Sequence, residues 1–251
     1  MSTVLRAEGV VKTYGRDLRA VAGVSLSVAP GEFVAVLGPS GAGKTTLFRC
    51  LTGLTRPDAG AVLLHGRDLC RLERGELRRA RREIALIFQQ FNLIRRLTAQ
   101  QNVLAGRMAT VATWRVLARH FPAADRTLAL GCLERVGMLE RAEARADQLS
   151  GGQQQRVAIA RALAQEAAVI LADEPVASLD PESAATVLDT LRSVAAAGVA
   201  VIASLHQVHL ARAYADRVVA LRDGRVLHDV PVAELDTRAL EQIYGRSGDA
   251  A

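Results

Sequence analysis

Nine residues, Gly38-Pro-Ser-Gly-Ala-Gly-Lys-Thr-Thr46, constrain this chain more than any other stretch. They stand between a short apolar run rich in β-formers, Phe33 to Leu37, and a segment that reads as a helix from about Lys44 to Leu54. Glycines let the backbone curl until successive N–H groups point at one anion. The following helix presents its N-terminus to that anion, a contribution of up to about 2 kcal/mol. Lys44 adds a compact full charge, worth about 4 kcal/mol at 4 Å and an effective dielectric of 20. The Thr45 hydroxyl can join a Mg²⁺ shell. Gly38, Pro39, Ser40, Gly41, Ala42, Gly43, Lys44, Thr45 and Thr46 are therefore the expected phosphate-binding set. A chance glycine-rich turn would not carry a buried strand before it and a helix after it.

The rest of the chain repeats this α/β grammar. Val4 to Val28 alternates apolar and polar residues and reads as antiparallel strands, closed by a turn at Pro30-Gly31. From about Gln90 to Gln148 the period becomes helical, with Leu128, Cys132, Leu133 and Val136 on one face. A helix is expected from Gly151 to Ala164, a buried strand from Val169 to Ala172, and a helix opened by Asp180-Pro181 and stopped at Gly198. Val199 to Leu205 reads as the next strand, and Asp223-Gly224 as a hairpin turn between Arg217–Arg222 and Arg225–Asp229.

A strand that ends in two adjacent carboxylates, Val169-Ile-Leu-Ala-Asp-Glu174, supplies the second chemical signal. Neighbouring side chains at a strand end point in different directions. One acid can serve a metal ion while the other polarises water, which assigns Asp173 to the metal and Glu174 to the general base.

Bulk properties exclude several classes. Half of the 251 residues are hydrophobic, so a large core is available. The net charge of +6 favours an anionic partner, but aromatics are 4% of the chain and Trp114 is the sole tryptophan. That is thin material for stacking bases, so the charge is read as proximity to a membrane surface and nucleic acid is not an expected partner. Arg67 to Arg82 reads as a solvated face. Cys50, Cys70 and Cys132 lack metal-ligand spacing and are expected as reduced thiols of a cytosolic protein. No signal-peptide core is seen at the start. The longest uncharged stretch, Ser193 to Ala211, is broken by Gly198 and reads as a helix end plus a strand, not a membrane span.

The third signal, Leu149-Ser-Gly-Gly-Gln-Gln-Gln-Arg156, resembles the signature motif of ATP-binding-cassette (ABC) ATPases. The resemblance covers about Val4 to Tyr244. It implies one ATPase domain over 1–246: an α/β P-loop NTPase core, mostly parallel sheet, with an antiparallel β subdomain (1–89 and 155–246). An inserted α-helical subdomain (90–154) would carry the signature, with 247–251 a frayed tail. It implies ATP and Mg²⁺ as ligands. Ser150, Gly151, Gly152 and Gln153 would contact nucleotide held by a second copy, arranged head to tail. Tyr14 looks like the aromatic that stacks on adenine, or is a plain strand tyrosine. Gln89 looks like the glutamine that reaches the metal and links the site to the helical subdomain, with Gln90 the alternative. Asp180 is similar to the residue that communicates across the dimer, and it also suits a helix cap. His206 looks like the switch histidine at the γ-phosphate; a metal pair with His209 is rejected on spacing.

Further stretches are similar to the ATPase subunits of phosphonate importers: Phe88-Gln-Gln-Phe-Asn-Leu-Ile-Arg-Arg-Leu97, Asn102-Val-Leu-Ala-Gly-Arg107, Thr113-Trp-Arg115 and Ser204-Leu-His-Gln-Val-His-Leu-Ala211. Gln207 follows the switch histidine, where most ABC ATPases place an acid. Gln101 departs from the charged residue common at its position. The resemblance implies a peripheral protein on the cytoplasmic face of the cell membrane, partnered by permease subunits and indirectly by a solute-binding protein. The alternatives are an ATPase for phosphate, phosphite or another organophosphorus solute, or one for lipoprotein or drug export.

Overall fold

The structure is a computed structural model and describes residues 3–15, 18–88, 92–118 and 120–245. Two sheets and a helical layer build it. The first sheet is antiparallel, formed by β1 (Leu5–Tyr14), β2 (Leu18–Val28), β4 (Ala59–Leu64) and the short β5 (Arg67–Asp68), in the order β2-β1-β4-β5. The second contains β3 (Phe33–Leu37), β6 (Ile84–Ile87), β7 (Val169–Ala172), β8 (Ala200–Ser204), β9 (Arg217–Arg222) and β10 (Arg225–Pro231), ordered β10-β9-β3-β8-β7-β6. All its pairings are parallel except the β9–β10 hairpin.

Strands β3, β7 and β8 are buried at every position, as their continuous apolar runs require of a sheet covered on both faces. Period two splits them between two cores. Phe33, Ala35, Leu37, Ile170 and Ala172 join the helical layer. Val34, Val36, Val169 and Leu171 instead meet the antiparallel sheet and α1 (Lys44–Leu51) through Leu47 and Phe48. Asp223 and Gly224 both take positive φ, 50° and 74°, the conformation a two-residue Asp-Gly hairpin demands.

The helical layer comprises α3 (Ala99–Leu104), α4 (Thr113–Leu117), α5 (Ala123–Arg135), α6 (Gly151–Ala164) and α7 (Pro181–Ala196), after the small α2 (Arg74–Ala80). Two further helices, α8 (Val208–Tyr214) and α9 (Thr237–Tyr244), pack near the other end of the main sheet. Arg107 ties the layer together, pairing with Asp125 at 2.8 Å and donating to the Ala164 carbonyl at 3.0 Å. Helix α6 runs unbroken across the expected boundary at 154/155. Among the described residues, no helix is long and apolar enough to cross a membrane. Cys50 and Cys132 are buried free thiols, and burial pushes the Cys50 thiol up to about 11.

One helix end departs from expectation. Helix α1 stops at Leu51, not Leu54, because the Thr52 hydroxyl turns back to the carbonyls of Phe48 (3.1 Å) and Arg49 (3.0 Å) and Gly53 leaves at φ 66°. A polar side chain that satisfies the last carbonyls ends the helix sooner than hydrophobic periodicity suggests.

The loop after residue 91 hangs on Asn102, which is fully buried. Its amide donates to the carbonyls of Ile94 (3.1 Å), Leu97 (3.3 Å) and Thr98 (3.0 Å), and its oxygen accepts from Ile94 N–H at 2.8 Å. Asn102→Ala strands several of these buried groups. It should lower the urea midpoint at unchanged m-value, by about 2–3 kcal/mol of stability. A change below about 0.5 kcal/mol would show that the loop finds other partners.

Candidate active site

The parallel strands end on one edge of the sheet, and the predicted residues gather there. Beyond β3 comes the loop 38–43, beyond β7 Asp173 and Glu174, and at the end of β8 Ser204 and His206. The carboxyl ends of parallel strands are where backbone pairing runs out and loops diverge, which leaves a crevice for a ligand.

Two backbone approaches fix the glycine loop. A Cβ on Gly43 would lie 2.1 Å from the Ala20 carbonyl of β2, and one on Gly38 would lie 2.2 Å from the Leu221 carbonyl of β9. The hairpin turn closes on the same place. Gly224 N–H donates to Ala42 O (3.2 Å), and Ala22 N–H donates to Gly224 O (2.7 Å). The loop is thus wedged between β2 and the β9–β10 hairpin, and its mouth opens into a cavity of about 520 Å³. Residues 40–46 line that cavity, together with Tyr14, Arg19, Glu174 and Asp223.

Lys44 is buried, and its ammonium donates to Gly38 O (2.7 Å) and Pro39 O (3.1 Å). Three protons on that nitrogen leave one donor for a ligand. Burial lowers the Lys44 pKa below its usual range, while the charges of Glu174 and Asp173 act in the opposite sense. Tyr14, 39% exposed, presents its ring at the cavity mouth with the Lys12 ammonium 5.8 Å from its centroid.

A hydroxyl that the sequence did not flag organises the acids. Ser204 is fully buried; its Oγ donates to Asp173 Oδ1 at 2.8 Å and accepts the Glu174 N–H at 2.7 Å. Glu174 sits at φ 51°, a left-handed conformation that costs a non-glycine residue about 1–3 kcal/mol unless its surroundings enforce it. His206 Nε2 lies 2.6 Å from Glu174 Oε1. Acid, imidazole and phosphate cradle are therefore contiguous.

Other expected residues stand elsewhere. Ser150 and Gln153 form a reciprocal cap on α6, with Gln153 N–H to Ser150 Oγ at 3.3 Å and Ser150 N–H to Gln153 Oε1 at 3.0 Å. A Cβ on Gly152 would meet the Ser183 side chain at 2.8 Å, while Gly151 is exposed. Asp180 caps α7 by accepting from Ser183 N–H at 2.9 Å, which draws its pKa below the usual range. None of these residues lines the cavity. Gln89 and its alternative Gln90 lie outside the described residues.

A metal is implied by a phosphate site of this kind, and the donors fit Mg²⁺: the Thr45 hydroxyl and the Asp173 carboxylate are hard oxygens. Among the described residues, no cluster of three or more His, Cys, Asp or Glu could hold a metal alone.

A glycine loop wedged at the carboxyl edge of a parallel sheet, with a buried lysine and a paired acid, defines a P-loop nucleotide-binding ATPase. A family model described as "ABC transporter" matches residues 21–177. The chain is 48% identical over 241 residues to the hypophosphite import ATP-binding protein HtxD of Stutzerimonas stutzeri, covering 96% of this chain and 70% of that protein. It is also 48% identical to the phosphonates import ATP-binding protein PhnC of Wolinella succinogenes, covering 96% and 88%. The dimeric structure of MJ0796, a bacterial ABC transporter cassette, superposes with TM-score 0.80 at 35% identity, covering 91% of this chain and 98% of that one. The chain belongs to the ABC transporter family, as one of its ATP-binding cassettes.

Removing the Ser204 hydroxyl isolates its role. Ser204→Ala takes a donor from a buried carboxylate and orphans the N–H of a strained residue, so stability should fall by about 1–3 kcal/mol. ATP hydrolysis should fall further than ADP affinity. Equal loss of both, followed by equilibrium titration and initial rates, would mean the hydroxyl only supports the fold.

Proposed function

We propose that this chain energises an importer of phosphonates, coupling ATP hydrolysis to conformational change in permease subunits. The observation that supports the ATPase chemistry best is the contiguity of the cradle, Lys44, Glu174 and His206 at one sheet edge. What supports the solute is likeness: relatives named for phosphonate or hypophosphite import match over almost the whole chain.

In this reading residues 1–246 work as one ATPase domain. Residues 38–46 bind the phosphates, and Tyr14 covers adenine. Thr45, Asp173 and Gln89 would hold Mg²⁺, which when bound would supply neutralisation of the phosphate charge. Glu174 accepts the proton of the attacking water, and His206 orients Glu174 and reads the terminal phosphate. Ser150, Gly151, Gly152 and Gln153 of each copy meet the nucleotide held by the other, so hydrolysis needs a head-to-tail pair. Asp180 adjoins that interface. The assembly lies peripherally on the cytoplasmic face of the membrane, where a solute-binding protein acts through the permease and nucleic acid has no part.

Glu174→Gln keeps shape and loses the base. It should bind ATP, stay dimeric and turn over about 10²- to 10⁴-fold more slowly. Turnover at the parental rate would refute the assignment. For the solute, ATPase activity of the complete transporter is titrated with binding protein carrying methylphosphonate, phosphate or nothing. Stimulation confined to methylphosphonate is expected. Stimulation by phosphate alone keeps the ATPase chemistry and overturns the solute.

A further inference from the structure

Helix α9 ends on a residue with no place in the scheme above. Its inner face is buried through Ala239 and Ile243, and Asp236 caps its start by accepting from Ala239 N–H at 2.7 Å. Its last turn is fastened to the β9–β10 hairpin, because Gln242 O accepts from Arg222 at 2.6 Å and Gln242 Oε1 lies 2.7 Å from His228 Nε2. These anchors carry the Tyr244 phenol to the carboxyl edge of the main sheet. There its hydroxyl donates to the His206 carbonyl at 3.4 Å. A phenol offers one donor, and this contact uses it. Burial raises the Tyr244 pKa, with Gly38 acting against it, so the group remains a protonated donor at neutral pH.

Gly38 opens the phosphate cradle, and His206 holds Glu174 at 2.6 Å. One hydrogen bond therefore ties the end of α9 to the backbone of the histidine that holds Glu174. We propose that Tyr244 is a positioning residue for ATP hydrolysis, its hydroxyl holding the backbone of His206, and with it the His206–Glu174 pair, against the C-terminal helix. The inference rests on the proposed roles of His206 and Glu174. It makes the C-terminal helix part of the catalytic apparatus, and it distinguishes the hydroxyl, which positions, from the ring, which packs.

The test is a double-mutant cycle of Tyr244→Phe and His206→Ala in the full chain, read by single-turnover phosphate release with enzyme in excess so that slow variants stay measurable. Tyr244→Phe should lower kcat by about three- to tenfold, the span of one hydrogen bond, with KM for ATP and ADP affinity within about twofold. In the His206→Ala background the same substitution should do nothing more. An unchanged kcat, or the same loss in both backgrounds, would overturn the proposal and leave the His206 assignment standing. If His206→Ala alone left hydrolysis intact, the assignment itself would fail and the link with it. A readout independent of turnover is the ¹⁵N imidazole signal of His206 in histidine-labelled protein: Tyr244→Phe should shift or broaden it, and an unmoved signal counts against the tether.

Discussion

The absence of room for a Cβ at Gly38 and Gly43 governs the architecture around the site. Each glycine lies against a carbonyl of a neighbouring strand, Leu221 on one side and Ala20 on the other. A loop so confined is held in place by the strands on either side, and residues 40–46 line the cavity. The antiparallel sheet, the β9–β10 hairpin and the parallel core are thus held in register by one short segment. Lys44 extends the same logic, because its contacts to Gly38 and Pro39 keep a desolvated ammonium paired inside the protein.

Charge at the site is arranged around a single hydroxyl. Two adjacent carboxylates at a strand end repel each other unless their surroundings separate them. Ser204 separates them by binding one side chain and the other backbone, which turns Glu174 into the left-handed region and towards His206. Asp173 remains buried beside the cradle, where a cation shared with phosphate balances it best. The strain at Glu174 is therefore tied to an identifiable hydrogen bond.

How much of this was legible in the sequence depended on the range of the interaction. The cradle, the apolar strands β3, β7 and β8, the Asp-Gly hairpin and the Asp180 cap are local patterns, and each is seen where local chemistry places it. Ser204 gave no chemical signal, since it read as one more residue of the strand Val199 to Leu205; its meaning comes from Asp173, 31 residues away. Tyr244 was equally silent, because its partner is the backbone of His206, 38 residues away in the chain. The end of α1 was misjudged for a smaller reason: Thr52 competes for its own helix carbonyls, and hydrophobic periodicity does not register that.

The residues that do not line the cavity carry as much meaning as those that do. Ser150 and Gln153 spend their polar groups on a reciprocal helix cap, and Gly152 is pressed against Ser183. These contacts explain the local sequence by themselves. They leave the exposed Gly151 and the start of α6 facing outward, though, with the capped helix N-terminus intact as a site for an anion. A single chain thus presents the glycine loop at one place and the start of α6 at another, outside the cavity. The proposed head-to-tail pairing would use both, and it would make hydrolysis depend on the closeness of two copies.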